Sequence, residues 1–254
     1  MEIRMMSNKQ ILSFLCAALI LLAGCNHSKP SRPAKLQLIS MIPGIEATAT
    51  ISPKSSSTQK TSFSLSYAAP SGYRSFSPGR YDITYAVDGK TILNHTFALG
   101  KNSYQSLLVA GMMTDTMQTN PQTTLFTIRN ILAGNENNDA NGYMPQYLML
   151  RDQFRGSKKK GLIRLINLSP FARPVSIHKE QQKLLHAGYL HETDPMEINP
   201  GTHPLQFFMN KIPLAEESLS IRKGYLHTIV TGNGNSGYSL TSVSYDSPTQ
   251  AVLQ

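Results

Sequence analysis

Short runs in which apolar and polar residues alternate recur along the chain. Alternation with a period of two is the signature of half-buried β-strands. The segment Leu36-Gln37-Leu38-Ile39-Ser40-Met41-Ile42-Pro43 returns as Ile163-Arg164-Leu165-Ile166-Asn167-Leu168-Ser169-Pro170 at an offset of 127, with the same order of apolar and polar positions. Pro43 and Pro170 predict the end of each strand, because proline has no amide to give a ladder and restricts the residue before it.

Two further blocks repeat in the same order. Phe76-Ser77-Pro78-Gly79 precedes Arg80-Tyr81-Asp82-Ile83-Thr84-Tyr85, and Ile198-Asn199-Pro200-Gly201 precedes Thr202-His203-Pro204-Leu205-Gln206-Phe207-Phe208. In both places Pro-Gly predicts a turn feeding a strand, and Pro204 predicts an edge position or a bulge in the second copy. The third block aligns Tyr104 with Tyr225 and Gly111 with Gly232 at an offset of 121. Three blocks in constant order at nearly constant spacing predict an internal duplication.

Further strand candidates lie at residues 62–67, 91–99, 123–128, 184–189, 217–221 and 238–245. Long helical periodicities are scarce. Residues 181–186 are a candidate helical turn, and 146–154 fit either a strand or a short helix. The fold class predicted is all-β, two Ig-like antiparallel β-sandwich units in tandem. Polar residues 133–142 read as a loop and 155–161 as the junction between halves. The expected domains are 36–157 and 158–254.

Taken as a series, Leu165-Ile166-Asn167-Leu168-Ser169-Pro170, Ser77-Pro78-Gly79-Arg80-Tyr81 and Lys223-Gly224-Tyr225 make the chain resemble a tandem pair of the Ig-like units called domain of unknown function 4397. The first copy departs from the opening pattern, with Ser40-Met41-Ile42-Pro43 where the second has Asn167-Leu168-Ser169-Pro170. The resemblance implies a bacterial envelope protein and brings no substrate or reaction with it. Its matching positions have structural readings: Tyr104 and Tyr225 are expected to place rings in a core with hydroxyls reaching a loop backbone.

Residues 1–24 read as an address. Arg4 and Lys9 precede the apolar stretch 11–24, which is short for a spanning helix of about 20 residues. It ends in Leu22-Ala23-Gly24-Cys25, where small residues suit a narrow peptidase site and a thiol follows to be alkylated. This resembles the bacterial lipobox. Cys25 is therefore the expected lipidation site, with residues 25–35 as a lipidated tether carrying two prolines. Asn26 offers no inner-membrane retention signal, so an outer-membrane lipoprotein, with surface exposure open, is the expected localisation. The membrane, reached through Cys25, is the first expected partner.

Charge narrows the other partners. The chain carries a formal charge of +9, and loss of Arg4, Lys9 and Glu2 with the leader leaves about +8. Arg155, Lys158, Lys159 and Lys160 concentrate it into a candidate polyanion-binding patch, against the plainer reading of a solvated loop. An envelope protein or a glycan fits an exported chain, and nucleic acid does not. The two cysteines are Cys16, inside the leader, and Cys25, so no pair is left for a disulfide or a thiolate metal site.

No metalloprotease helix, nucleophile elbow or phosphate-cradling loop is present. His178, His186, His191, His203 and His227 crowd the second half without metal-ligand spacing. If folding gathered His186, His191 and Glu192, or set Glu192 beside Asp194, a metal-dependent enzyme or hydrolase would become the alternative function. Asp82, Asp88 and Asp139 are weak calcium candidates without the spacing of an EF-hand. No cofactor is expected. The function expected is a non-enzymatic envelope lipoprotein for adhesion, glycan contact or surface-complex assembly.

Overall fold

A computed structural model describes residues 32–55, 59–111, 145–169, 174–209, 211–233 and 240–249. Cys25, the strand candidate at 123–128 and the polar loop 133–142 lie outside them. Pro33–Gln254 forms one compact unit.

The first half supplies β1 (Ala34–Ser40), β2 (Ala47–Pro53), β3 (Thr61–Leu65), β4 (Arg74–Phe76), β5 (Gly79–Val87), β6 (Lys90–Leu99), β7 (Tyr104–Ala110) and β8 (Gln146–Arg151). The second supplies β9 (Gly161–Asn167), β10 (Val175–Lys179), β11 (Gln182–Ala187), β12 (His191–Glu192), β13 (Met196–Ile198), β14 (Gly201–Met209), β15 (Ile212–Ile221), β16 (Tyr225–Asn233) and β17 (Leu240–Pro248). Two inner sheets run β4-β1-β7-β8 and β12-β9-β16-β17, with β13 also on β9. Two outer sheets run β3-β2-β5-β6 and β11-β10-β14-β15. The chain is thus all-β, a tandem of two sandwiches built on one plan.

The duplication extends to register. Lys35 faces Tyr104 and Leu162 faces Leu226, so the offset of 127 on the first strand of each copy goes with 122 on its partner. The tyrosine alignment at 121 was therefore one residue out, and in a strand one residue exchanges faces. Ala110 rather than Gly111 is the counterpart of Gly232. Each inner sheet also contains one parallel pair, β1 with β7 and β9 with β16, which departs from the wholly antiparallel expectation. The outer-sheet hairpins intervene between these strands and supply the long crossover that parallel neighbours require.

Consecutive apolar residues have a simple physical origin here. In β1, Leu36 and Leu38 face the first sandwich core while Ile39 faces an apolar cluster shared with the second half. In β9, Ile163 and Leu165 face the second core while Ile166 joins the shared cluster. The inner sheets are buried on both faces, so strict alternation gives way to near-continuous apolarity.

The candidate helical turn at 181–186 is instead strand β11. Glu180 and Gln181 both have left-handed φ, 49° and 67°, and form a two-residue hairpin turn that brings Gln182 opposite Lys179. Residues 146–151 are the strand of their two alternatives. Pro204 pairs with Ser218 in β15 and lies past the β10 ladder, which ends at Gln206, so its missing amide breaks no pair on that side. At the two Pro-Gly turns, the Tyr81 hydroxyl donates to the Ser77 carbonyl at 2.7 Å, and the His203 ring bonds the Asn199 carbonyl at the same distance. Different side chains thus make the same corner in the two copies.

Candidate functional site

The largest concentration of ionisable and hydroxyl groups lies where the inner sheets meet. On one side of this seam Ile39, Met41, Leu108, Leu150, Ile166 and Val230 form an apolar cluster. Gly232 belongs to it because a Cβ there would stand 2.6 Å from the Met41 methyl. The other side is polar and equally buried. Alternation sends Gln37, Ser106, Arg164 and Thr228 onto it.

Arg164 is fully buried at its centre. Its Nε donates to Thr228 Oγ1 at 2.9 Å, and Nη1 donates to the Arg151 carbonyl at 2.8 Å and to Glu192 Oε2 at 3.1 Å. Nη2 is ion-paired with Asp152. Asp152 Oδ2 accepts from Ser106 Oγ at 2.5 Å and Tyr73 Oη at 2.8 Å, while Oδ1 also accepts from Tyr245 Oη at 3.3 Å. Gln37 extends the chain of bonds to Ser106 at 2.8 Å.

Burial alone would push the Arg164 pKa down; the surrounding Tyr245, Asp152 and Glu192 more than offset it and hold the guanidinium more firmly protonated. Tyr73 and Tyr245 are both shifted far up, first by burial and then by the charge of Asp152. Burial raises Glu192 as well, with Asp152 and Asp194 adding to the shift and Arg164 opposing it. A buried ion pair is stable only when its remaining donors and acceptors are occupied, and here they are. The charges of this network are spent inside the protein.

Two second-half histidines, His203 and His227, have similarly internal partners. The buried His227 Nδ1 faces Asp246, while Nε2 lies 2.8 Å from the Arg222 amide. Accepting that N–H leaves the imidazole no free lone pair with which to take a proton from a substrate. Arg222 closes on Asp246 at 2.6 Å and covers the Tyr225 ring at 4.0 Å. Burial would raise Asp246, and the bonds to His227 and Arg222 outweigh it and lower its pKa.

The sequence-derived metal set is not assembled, whereas Glu192 and Asp194 do lie close enough for the second carboxylate to add to the upward shift of the first. His186 pairs across to Ser176 in the outer sheet, whereas His191 pairs with Asn167 in the inner sheet and Glu192 turns to Arg164. Among the described residues no group of three or more His, Cys, Asp or Glu side chains is placed to hold a metal ion. Asp82 accepts from Thr96 Oγ1 at 2.5 Å, Asp88 occupies a hairpin turn, and Asp139 lies outside the described residues. The tyrosine expectation also changes. Tyr104 is half-buried edge-on to Tyr73 at 5.3 Å, and Tyr225 lies under Arg222 rather than inside a core.

Arg155, Lys158, Lys159 and Lys160 are exposed at the junction before β9. Lys160 pairs with Glu197 at 3.3 Å with both side chains 47% exposed, an arrangement worth little in stability. Sequence reading located this basic junction and missed the Arg164 network. The available signal was one arginine inside the apolar run Leu162-Ile163-Arg164-Leu165-Ile166, which can be buried only if an anion meets it.

The architecture, read from the chain's own sheets, is that of a tandem β-sandwich protein, and comparisons with known proteins return only distant similarities. No family model matches the chain, and no curated protein matches it. The C-terminal domain of AlgF from P. aeruginosa is similar at 20% identity over 35% of this chain and all of that domain, with a TM-score of 0.31. A candidate cell adhesion protein from Bacteroides ovatus ATCC 8483 is 7% identical over 87% of this chain and 99% of its own, with a TM-score of 0.24. One from Bacteroides uniformis ATCC 8492 is 8% identical over 87% and 98%, with a TM-score of 0.23. At such identities and scores the likeness does not extend to function.

Proposed function

We propose that the chain is a non-enzymatic cell-envelope lipoprotein that serves adhesion, glycan contact or the assembly of a surface complex. In this reading residues 1–24 are removed, Cys25 is acylated and 25–35 tether sandwiches 36–157 and 158–254 to the outer membrane. The units are of the kind that resembles domain of unknown function 4397.

The observation that carries the reading is the use made of reactive side chains. Arg164, Asp152 and Tyr245, and the His227–Asp246 pair, occupy one another's bonding capacity in the interior. Such groups lock a scaffold together and leave recognition to exposed faces. Lys158, Lys159 and Arg155 are available to an acidic partner.

Anchoring is tested by expressing the chain and its Cys25→Ser variant with a radiolabelled fatty acid, followed by membrane fractionation. The parent chain is expected to carry label and remain with the outer membrane after a high-salt wash, and the variant to lose both. Unlabelled, freely soluble parent protein would overturn the anchoring. Cross-linking on intact cells should then join the chain to envelope protein or glycan.

A further inference from the structure

The two outer sheets have matching geometry and different chemistry. Thr48 pairs with Ser64 and with Ala86 in the first copy, and Ser176 with His186 and Phe208 in the second. One step along the same lattice, Thr50 lies opposite Thr84 and His178 opposite Gln206. Small side chains on one outward face are thus replaced by rings on the other. Lys183 pairs with His178 across a register shift and adds a cation.

The hairpin turn carries the difference further. Gly89 has φ 74°, and Lys211, which holds the same place before the second strand of its hairpin, has φ 73°. A side chain is disfavoured in that conformation relative to glycine. Lys211 stands on the rim of an open groove. The groove has a volume near 500 Å³ and is lined by Ser176, His178, Lys183, His186, Phe208 and Lys211. Its floor is a ring pair, His178 and Phe208, with centroids 4.3 Å apart.

We propose that this groove binds an acidic polysaccharide, with sugar rings on Phe208 and His178 and carboxylates beside Lys183 and Lys211. The proposal rests on the envelope-lipoprotein reading and names the glycan for it. Positive groups at both rims and an aromatic floor match a chain that is anionic at its edges and presents C–H faces between them. Ser176, whose hydroxyl lies 3.2 Å from His178 Nε2, adds a polar group for sugar hydroxyls.

The test uses the protein as purified from cells that express the whole chain, in neutral detergent, and fluorescent hexamers of galacturonate and of hyaluronate, read by fluorescence polarisation. At least one hexamer is expected to bind, with a neutral cellulose oligomer and poly-glutamate binding about tenfold or more weakly, and with affinity falling as salt rises through about 200 mM. The exposed pair Lys183→Gln/Lys211→Gln should weaken binding about tenfold with unchanged circular dichroism, and Phe208→Ala by a similar factor. Lys90→Gln/Lys101→Gln, exposed in the first half, should leave it unchanged, and Lys158→Gln/Lys159→Gln is the junction variant against which the groove variant is compared. Failure of both hexamers, equal binding of poly-glutamate, or sensitivity to the junction variant instead of the groove variant would overturn the assignment. None of these outcomes depends on acylation at Cys25 or on retention in the envelope, so the parent reading stands or falls separately.

Discussion

Arg164 shows how one residue ties the two halves. It belongs to a strand of the second sandwich, yet its guanidinium bonds the carbonyl of Arg151, the last residue of β8, and the carboxylate of Asp152 just after it. Removing one partner strands the other charge without water, a loss in the range of about 3–5 kcal/mol, whereas exchanging both for apolar residues of similar size is often neutral. Arg164→Met is therefore expected to destabilise by several kcal/mol and Arg164→Met/Asp152→Leu by distinctly less. Chemical denaturation of the single and double variants measures this. A double variant as unstable as the sum of its singles would mean that the two residues act independently.

At the scale of elements, hairpin turns record where the copies have diverged. Asp88-Gly89 turns β5 into β6 with φ of 48° and 74°, a composition made for that geometry. Lys211 adopts the same φ without glycine's freedom. Lys211→Gly is expected to raise stability by about 1 kcal/mol while weakening oligosaccharide binding. A thermal melt and the polarisation titration, run on the same sample, check both signs. If the glycine variant melts lower, the lysine is making contacts that outweigh its backbone strain.

The strand plan was legible in the sequence because alternation survives wherever one face of a strand is wetter than the other, as in Tyr81, Ile83 and Tyr85 of β5. Duplication was legible because Pro-Gly turns and the Leu36 and Ile163 segments must recur in order. The parallel neighbours β1 and β7 were not, since pairing direction leaves no mark in a strand's own residues. Nor was the network around Arg164, because Asp152, Tyr245 and Tyr73 come from three separate segments, and only closure of the inner sheets brings them together. The groove escaped for a related reason. His178 and His186 stood out as histidines, but only sheet register places them beside Phe208.

For the whole molecule, the seam makes the two sandwiches one compact unit, and its tyrosines give that unit a sensitivity to alkali. In an unfolded chain a phenol ionises near pH 10. Tyr73 and Tyr245 are held well above that by burial and by Asp152, and burial also raises Tyr147 and Tyr85 at the first core. Their contribution is intact below about pH 10, where both states keep the proton. Above it the unfolded chain releases protons that the folded one retains, so stability falls by about 1.4 kcal/mol per pH unit for each such hydroxyl. Guanidinium unfolding midpoints should stay level from about pH 8 to 10 and then drop steeply. Tyr73→Phe/Tyr245→Phe should flatten that drop even where it lowers stability at neutral pH, because it removes the titrating groups together with their bonds to Asp152. Both sandwiches should be lost in the same transition, since the network that weakens holds strands from each. A midpoint unmoved between about pH 9 and 11 would show that these hydroxyls ionise freely in the folded protein and that the seam opens to solvent.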